Sequence, residues 1–181
     1  DGPMHFPRDT VMYQRIPQEL AAKPNGWFFN IETVYTHGDY KTSELAPEDQ
    51  YGRNLRIAVS DLAEFVRAAK AVNPRSLFVV YGDHKPSLTK YLYASRVLTD
   101  DMFWKVDATK GRYVFRSSVD QSKIADVPVL IGWPEGANVP FDAARLRHLP
   151  FYCLSAVLSE SVLGGGNPAS NYAANQLCPK R

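Results

Sequence analysis

One long amphipathic pattern sets the terms for this chain. Leu55, Ala58, Val59, Leu62, Phe65, Val66 and Ala69 recur at helical spacing and lay one apolar stripe along a helix of about five to six turns. An apolar run stands on each side of it. Trp27 to Tyr35 is rich in aromatic and β-branched residues and reads as a strand. Leu77 to Tyr81 is short and wholly apolar, as a strand covered on both faces should be. Asn73-Pro74 separates helix from second strand, because proline disfavours α geometry in the residue before it. The order is strand, helix, strand.

Two strands of such a unit, if they share a sheet, are parallel and joined by a right-handed crossover. Their C-terminal ends then meet at one sheet edge, where open α/β sheets bind ligands. The residues that follow them are Thr36-His37-Gly38-Asp39 and Gly82-Asp83-His84-Lys85. Asp83 and His84 offer one oxygen and one nitrogen donor, a set that suits Zn²⁺ or Mn²⁺. Adjacent side chains on a straight strand point to opposite faces, so Gly82 is expected to bend the backbone and bring both donors to one ion. His37, on the same edge, is the candidate contact for an anionic substrate or its leaving group, and Lys85 adds positive charge. His5 and His148 have no partner identifiable from sequence. Two donors make half a site, since a usable metal centre needs three or four.

The rest of the chain reads as follows. Residues 1–10 are irregular, and Thr10 to Lys23 is helical unless Pro17 divides it. Residues 36–50 form a polar loop, and 88–98 hold a short helix. A hairpin over 102–117 turns near Lys110-Gly111, and Val127 to Ile131 is a further strand of the main sheet. Phe141 to Leu149 holds a helical turn. Pro150 to Leu163 is a buried helix stopped by three glycines, and 165–181 is an irregular tail.

Composition narrows the function. Apolar residues make up 45% of the 181, enough for a core, and the net charge of +2 comes from scattered Lys and Arg rather than a basic stripe, which argues against a nucleic-acid partner. No apolar run approaches the roughly 20 residues a bilayer-spanning helix needs. No Gly-rich phosphate loop, dinucleotide fingerprint or G-x-S-x-G elbow is present. The chain opens on Asp1-Gly2-Pro3 with no export signal, as a processed or trimmed sequence does, so the compartment is not readable from its start. Cys153 and Cys178 either pair, as suits an oxidising compartment, or stand as one buried thiol and one tail thiol.

At Tyr81-Gly82-Asp83-His84-Lys85-Pro86-Ser87 the sequence resembles the sulfatase-like branch of the alkaline phosphatase superfamily, closest to lipoteichoic acid synthases and phosphoglycerol transferases. Tyr35-Thr36-His37-Gly38-Asp39-Tyr40, Val127-Pro128-Val129-Leu130-Ile131 and the proline-led helix from Pro150 to Gly164 follow the family's order, so the resemblance spans most of residues 9–164. Asp39 stands where the family often has Pro, and His148 lies near where it often has Asp.

The resemblance implies a three-layer α/β sandwich with a mostly parallel sheet, of which residues 1–181 are the C-terminal part of a single catalytic domain. Asp83 and His84 would be metal ligands and His37 a substrate contact. The remaining carboxylate ligand and the nucleophilic Thr would precede Asp1, so this stretch alone would be inactive. The implied activity is metal-dependent transfer of phosphoglycerol or a similar phospho-group from an anionic lipid head group to an envelope glycan or polymer. A sulfatase, a phosphoethanolamine transferase and a non-catalytic binding module of the same family are the alternatives. The implied setting is extracytoplasmic, in a protein with a membrane anchor and the missing N-terminal half of the domain.

Overall fold

The computed structural model describes residues 7–23, 26–38, 40, 45–86, 88–116, 127–136, 150, 152–163 and 178. The chain parts into two compact units, residues 1–135 and 136–181.

In the first unit, α1 (Thr10–Ala22) packs on α2 (Pro47–Val72). Tyr13, Ile16 and Leu20 recur at spacings of three and four and bury one face of α1 against Phe65 and Ala69 of α2. Pro17 sits inside α1 without dividing it. The buried stripe on the same helix offsets the roughly 3 kcal/mol that an interior proline costs. α2 starts earlier than its apolar stripe does, within the stretch expected to be loop. Pro47 occupies its first turn, where a missing N–H costs nothing, and Glu48 and Asp49 complement the helix dipole there. Only the lower half of the stripe is core: Phe65 and Ala69 are buried, whereas Leu55 and Val59 are exposed.

The three-layer sandwich with a mostly parallel sheet does not form. Among the described residues there are four helices and two antiparallel two-stranded sheets. β1 (Phe78–Tyr81) pairs with β4 (Val129–Gly132), Phe78 opposite Gly132 and Tyr81 opposite Val129. Beyond the ladder, the Gly82 amide donates to the Pro128 carbonyl at 3.3 Å, and the Glu135 amide donates to the Pro74 carbonyl at 2.8 Å. Lys70 Nζ reaches the Trp133 carbonyl at 2.7 Å, so both flanks of β4 are held, one of them to the end of α2.

Trp27 to Tyr35, expected as the parallel partner of β1, carries no ladder. Its side chains still alternate as a strand's do: Phe29 and Ile31 pack on the α1–α2 core beside Phe78, and Phe28 is 90% exposed. Its last two amides go elsewhere. The buried Asp9 carboxylate accepts from Val34 N at 3.0 Å and Tyr35 N at 3.4 Å, and the Asp9 carbonyl accepts from the first turn of α1. One aspartate therefore ties the end of this segment to a helix start, in place of a sheet. Asp9→Ala strands two amides and is expected to cost about 1–3 kcal/mol. Faster hydrogen exchange at Val34 and Tyr35 than elsewhere in the unit is the measurement that checks it.

Asp61 on α2 is also buried, and Arg8 grips its carboxylate with two nitrogens, Nε at 2.9 Å from Oδ2 and Nη2 on Oδ1. Tyr13 lies within reach of the charge of both acids. Burial, and then the charges of Asp9 and Asp61, push its hydroxyl from 10.0 up to about 12. The folded state thus holds a proton that the unfolded chain releases near pH 10. The stability this provides is complete below pH 10 and is lost as pH rises through about 12. Chemical-denaturation midpoints are expected to fall more steeply between those values in the wild type than in Tyr13→Phe.

α3 (Thr89–Ala94) follows β1, and a single 3₁₀ turn (Asp100–Met102) leads into the hairpin β2 (Phe103–Asp107) and β3 (Arg112–Phe115). Gly111 adopts φ +62°, a left-handed turn conformation that a side chain would strain, at the place the sequence predicted the turn. Phe103, Tyr113 and Phe115 of the hairpin cluster with Tyr93 of α3 at centroid distances of 4.6–5.7 Å.

In the second unit, α4 (Tyr152–Leu163) buries Cys153, Leu154, Ala156 and Val157, and Cys153 is bonded to Cys178. The expected turn over 141–149 and the tail around Cys178 lie outside the described residues.

Candidate metal and anion site

Asp83 and His84 stand in the bend that leaves β1. The bend is not a glycine effect in the sense expected, because Gly82 does not take a left-handed conformation. Nor does space demand a glycine: a Cβ there would meet Val127 Cβ at 3.4 Å, an ordinary contact. The β1–β4 pairing, extended by the Gly82 amide on the Pro128 carbonyl, runs up to the Asp-His pair.

The two side chains do converge. Asp83 Oδ1 accepts the His84 amide at 2.9 Å, and Asp83 Oδ2 lies 3.3 Å from His84 Nε2. On the other side of the ring, His84 Nδ1 is 2.8 Å from the Lys85 carbonyl. A carbonyl and a carboxylate both only accept, so the ring has an acceptor on each side: Nδ1 donates to the Lys85 carbonyl, and Nε2 faces Asp83, as a second N–H donor in the ion pair or with its lone pair open to a cation in the neutral ring. The Lys85 carbonyl orients the ring as backbone oxygens commonly orient metal-ligating histidines. A tetrahedral ion with bonds of about 2.0–2.1 Å to one oxygen and one nitrogen holds those atoms about 3.3 Å apart. The donor types and the separation therefore fit a divalent cation. Both side chains are exposed, at 77% and 62%, so an ion bound there keeps open positions toward solvent.

The rest of the predicted site is not assembled with them. No group of three or more His, Cys, Asp or Glu side chains able to hold a metal exists among the described residues, so His37 does not join the pair. The shared sheet edge that was to deliver His37 is missing, for the reason given above. His37 instead lies exposed in a turn, its amide donating to the Val34 carbonyl at 2.9 Å. Lys85 is exposed beside the pair and contributes its carbonyl to orient His84. Asp39 and Ser87 lie outside the described residues.

Sequence reasoning missed the acid-lined groove between α1 and α2. It has a volume of about 310 Å³ and is lined by Tyr13, Gln14, Pro17, Asp61, Glu64 and Phe65 among others, and by none of His37, Asp83, His84 or Lys85. Nothing in the sequence marked it, because Asp61 looks like an ordinary polar position on the helix until Arg8 is seen to reach it. No helix among the described residues is long and apolar enough to cross a membrane. Comparison with protein-family models, curated proteins and solved structures returned no match.

Proposed function

We propose that Asp83 and His84 are two ligands of a divalent metal, Mn²⁺ or Zn²⁺, in an enzyme of the sulfatase-like kind that transfers phosphoglycerol or a related phospho-group to an envelope glycan or polymer. The observation that carries this reading is the Asp83–His84 geometry: Oδ2 and Nε2 at 3.3 Å, with Nδ1 engaged by the Lys85 carbonyl. It occurs within the Tyr81-Gly82-Asp83-His84-Lys85-Pro86-Ser87 motif that bears the family resemblance. The Cys153–Cys178 bond supports an extracytoplasmic setting, since disulfides persist in oxidising compartments.

A bound cation supplies a lowered pKa for the attacking hydroxyl and offsets charge on the transferred group. The chain's own residues hold and shape its site. The Asp83 carboxylate brings negative charge, the Lys85 carbonyl fixes the ring of His84, and the Lys85 ammonium attracts an anionic head group. His37 is assigned to the substrate rather than to the ion. No third ligand stands beside the pair among the described residues. A second reading, a non-catalytic module that binds anionic glycans, is favoured by the lack of a third ligand among the described residues.

Metal analysis of the whole protein separates them. Stoichiometric Mn²⁺ or Zn²⁺ is expected, with at least about a hundredfold loss of affinity in Asp83→Ala and in His84→Ala, since even the residues that merely orient ligands are worth 10–100-fold. Absence of bound metal under metal-replete conditions rejects the enzyme reading.

A further inference from the structure

The β2–β3 hairpin turns a face to solvent that its own packing does not explain. Along β3 the side chains alternate: Tyr113 and Phe115 point into the aromatic cluster, while Arg112, Val114 and, just beyond, Arg116 point out. On β2 the register shifts between Phe103 and Lys105. Without that bulge, Trp104 and Lys105 would point to opposite faces. With it, both are exposed: Lys105 lies opposite Val114, and the Trp104 ring lies 5.9 Å from the Arg116 guanidinium. Trp104 remains 76% exposed and Val114 49%.

The result is one face with a tryptophan and a valine among Lys105, Arg112 and Arg116, and with Lys110 at the turn. Of the nearby acids, Asp107 stands opposite Arg112 on the ladder and offsets one of these cations, while Asp100 and Asp101 lie in the turn before β2. Asp100 accepts from the Tyr93 hydroxyl, Asp101 from Thr99, and Asp107 from Thr109 and the Lys110 amide. The face is cationic with an apolar centre. From this arrangement we infer that it docks the protein on an anionic phospholipid surface.

Tryptophan settles at the depth of lipid head groups, and lysine and arginine around it meet anionic phosphates. A glycan fits less well. β2 and β3 themselves carry no Asn, Gln, Ser or Thr, the neutral groups that fix sugar hydroxyls. Docking of this kind lays the hairpin on the bilayer without crossing it.

Co-sedimentation with vesicles tests the assignment. The full chain is expected to partition onto phosphatidylcholine–phosphatidylglycerol vesicles, to release them as salt is raised, and to ignore pure phosphatidylcholine. Each cation near such a surface is worth about a fivefold change in partition, so Arg112→Ala with Lys105→Ala lowers it about thirtyfold. Tryptophan emission shifts to the blue on binding in the wild type and not in Trp104→Phe. All three positions are exposed, and unchanged thermal melts confirm that the variants fold. Equal partition of variant and wild type, or no partition at all, overturns the assignment. So does Trp104-dependent capture of a soluble acidic polysaccharide without vesicle binding, which gives the face to a glycan.

Discussion

Phe65→Ala is expected to destabilise the 1–135 unit by about 3–5 kcal/mol, near the top of the range for any single substitution. Phe65 is the residue through which three elements meet. Its ring stacks on Tyr13 of α1 at 4.8 Å and 11°, and meets Phe78 of β1 edge-on at 5.9 Å and 85°. It is 5% exposed, and Ala69, one turn along α2, is wholly buried. Truncation loses the transfer free energy of the ring and leaves a cavity, and the two costs add. Phe65→Leu restores most of the volume and is expected to cost under about 1.5 kcal/mol. Val59→Ala on the same predicted stripe should change little, because Val59 is 54% exposed. Denaturant midpoints of the three variants rank them. A Phe65→Ala loss no larger than that of Val59→Ala would contradict the packing of α1, α2 and β1 described above.

The second large effect belongs to the 136–181 unit. The Cys153–Cys178 bond spans a sequence separation of 25 residues. In the chain-entropy account, removing a cross-link of that span releases about 3–4 kcal/mol of stability. The bond sits in the unit's core, with Ala156 and both cysteines buried together. The double variant Cys153→Ser, Cys178→Ser is therefore expected to melt far below the oxidised protein and to lose hydrogen-exchange protection along α4. Thiol reductant should reproduce the effect in the wild type and leave the double variant unchanged. An α4 protected equally well in both would show that packing alone holds this unit.

What was legible in the sequence was local or periodic. The stripe from Leu55 to Ala69, the short run ending at Tyr81, the turn at Gly111 and the buried helix after Pro150 each announce themselves through spacing or a special residue. What was not legible was partnership. Trp27 to Tyr35 has the composition and the alternation of a strand, and Phe29 and Ile31 do face the core. The amides of its last two residues go to a carboxylate far back in the chain, and no local pattern reports that Asp9 accepts from Val34 and Tyr35. The antiparallel match of β1 with β4 is likewise a long-range choice, and β1 itself is equally compatible with a parallel neighbour. The loss of the parallel sheet carried the predicted meeting of His37 with Asp83 away with it. The Asp83–His84 contact survived because adjacent residues in one bend need no distant partner.

Apparent failures of local rules have the same origin. Pro17 stays inside α1 because Ile16 and Leu20 are buried on either side of it. Trp104 and Lys105 share a face because the ladder slips at one residue, a detail of cross-strand register rather than of composition.

The claim on which the functional reading depends is that a cation sits between Asp83 and His84. Histidine ring resonances under Mn²⁺ titration test it most directly, since the paramagnetic ion broadens only what is near it and the chain has 4 histidines to compare. In the whole protein, His84 is expected to broaden first and at substoichiometric Mn²⁺, with Asp83→Ala abolishing the selectivity. Uniform broadening of all the histidines, or selective broadening that survives Asp83→Ala, would contradict it.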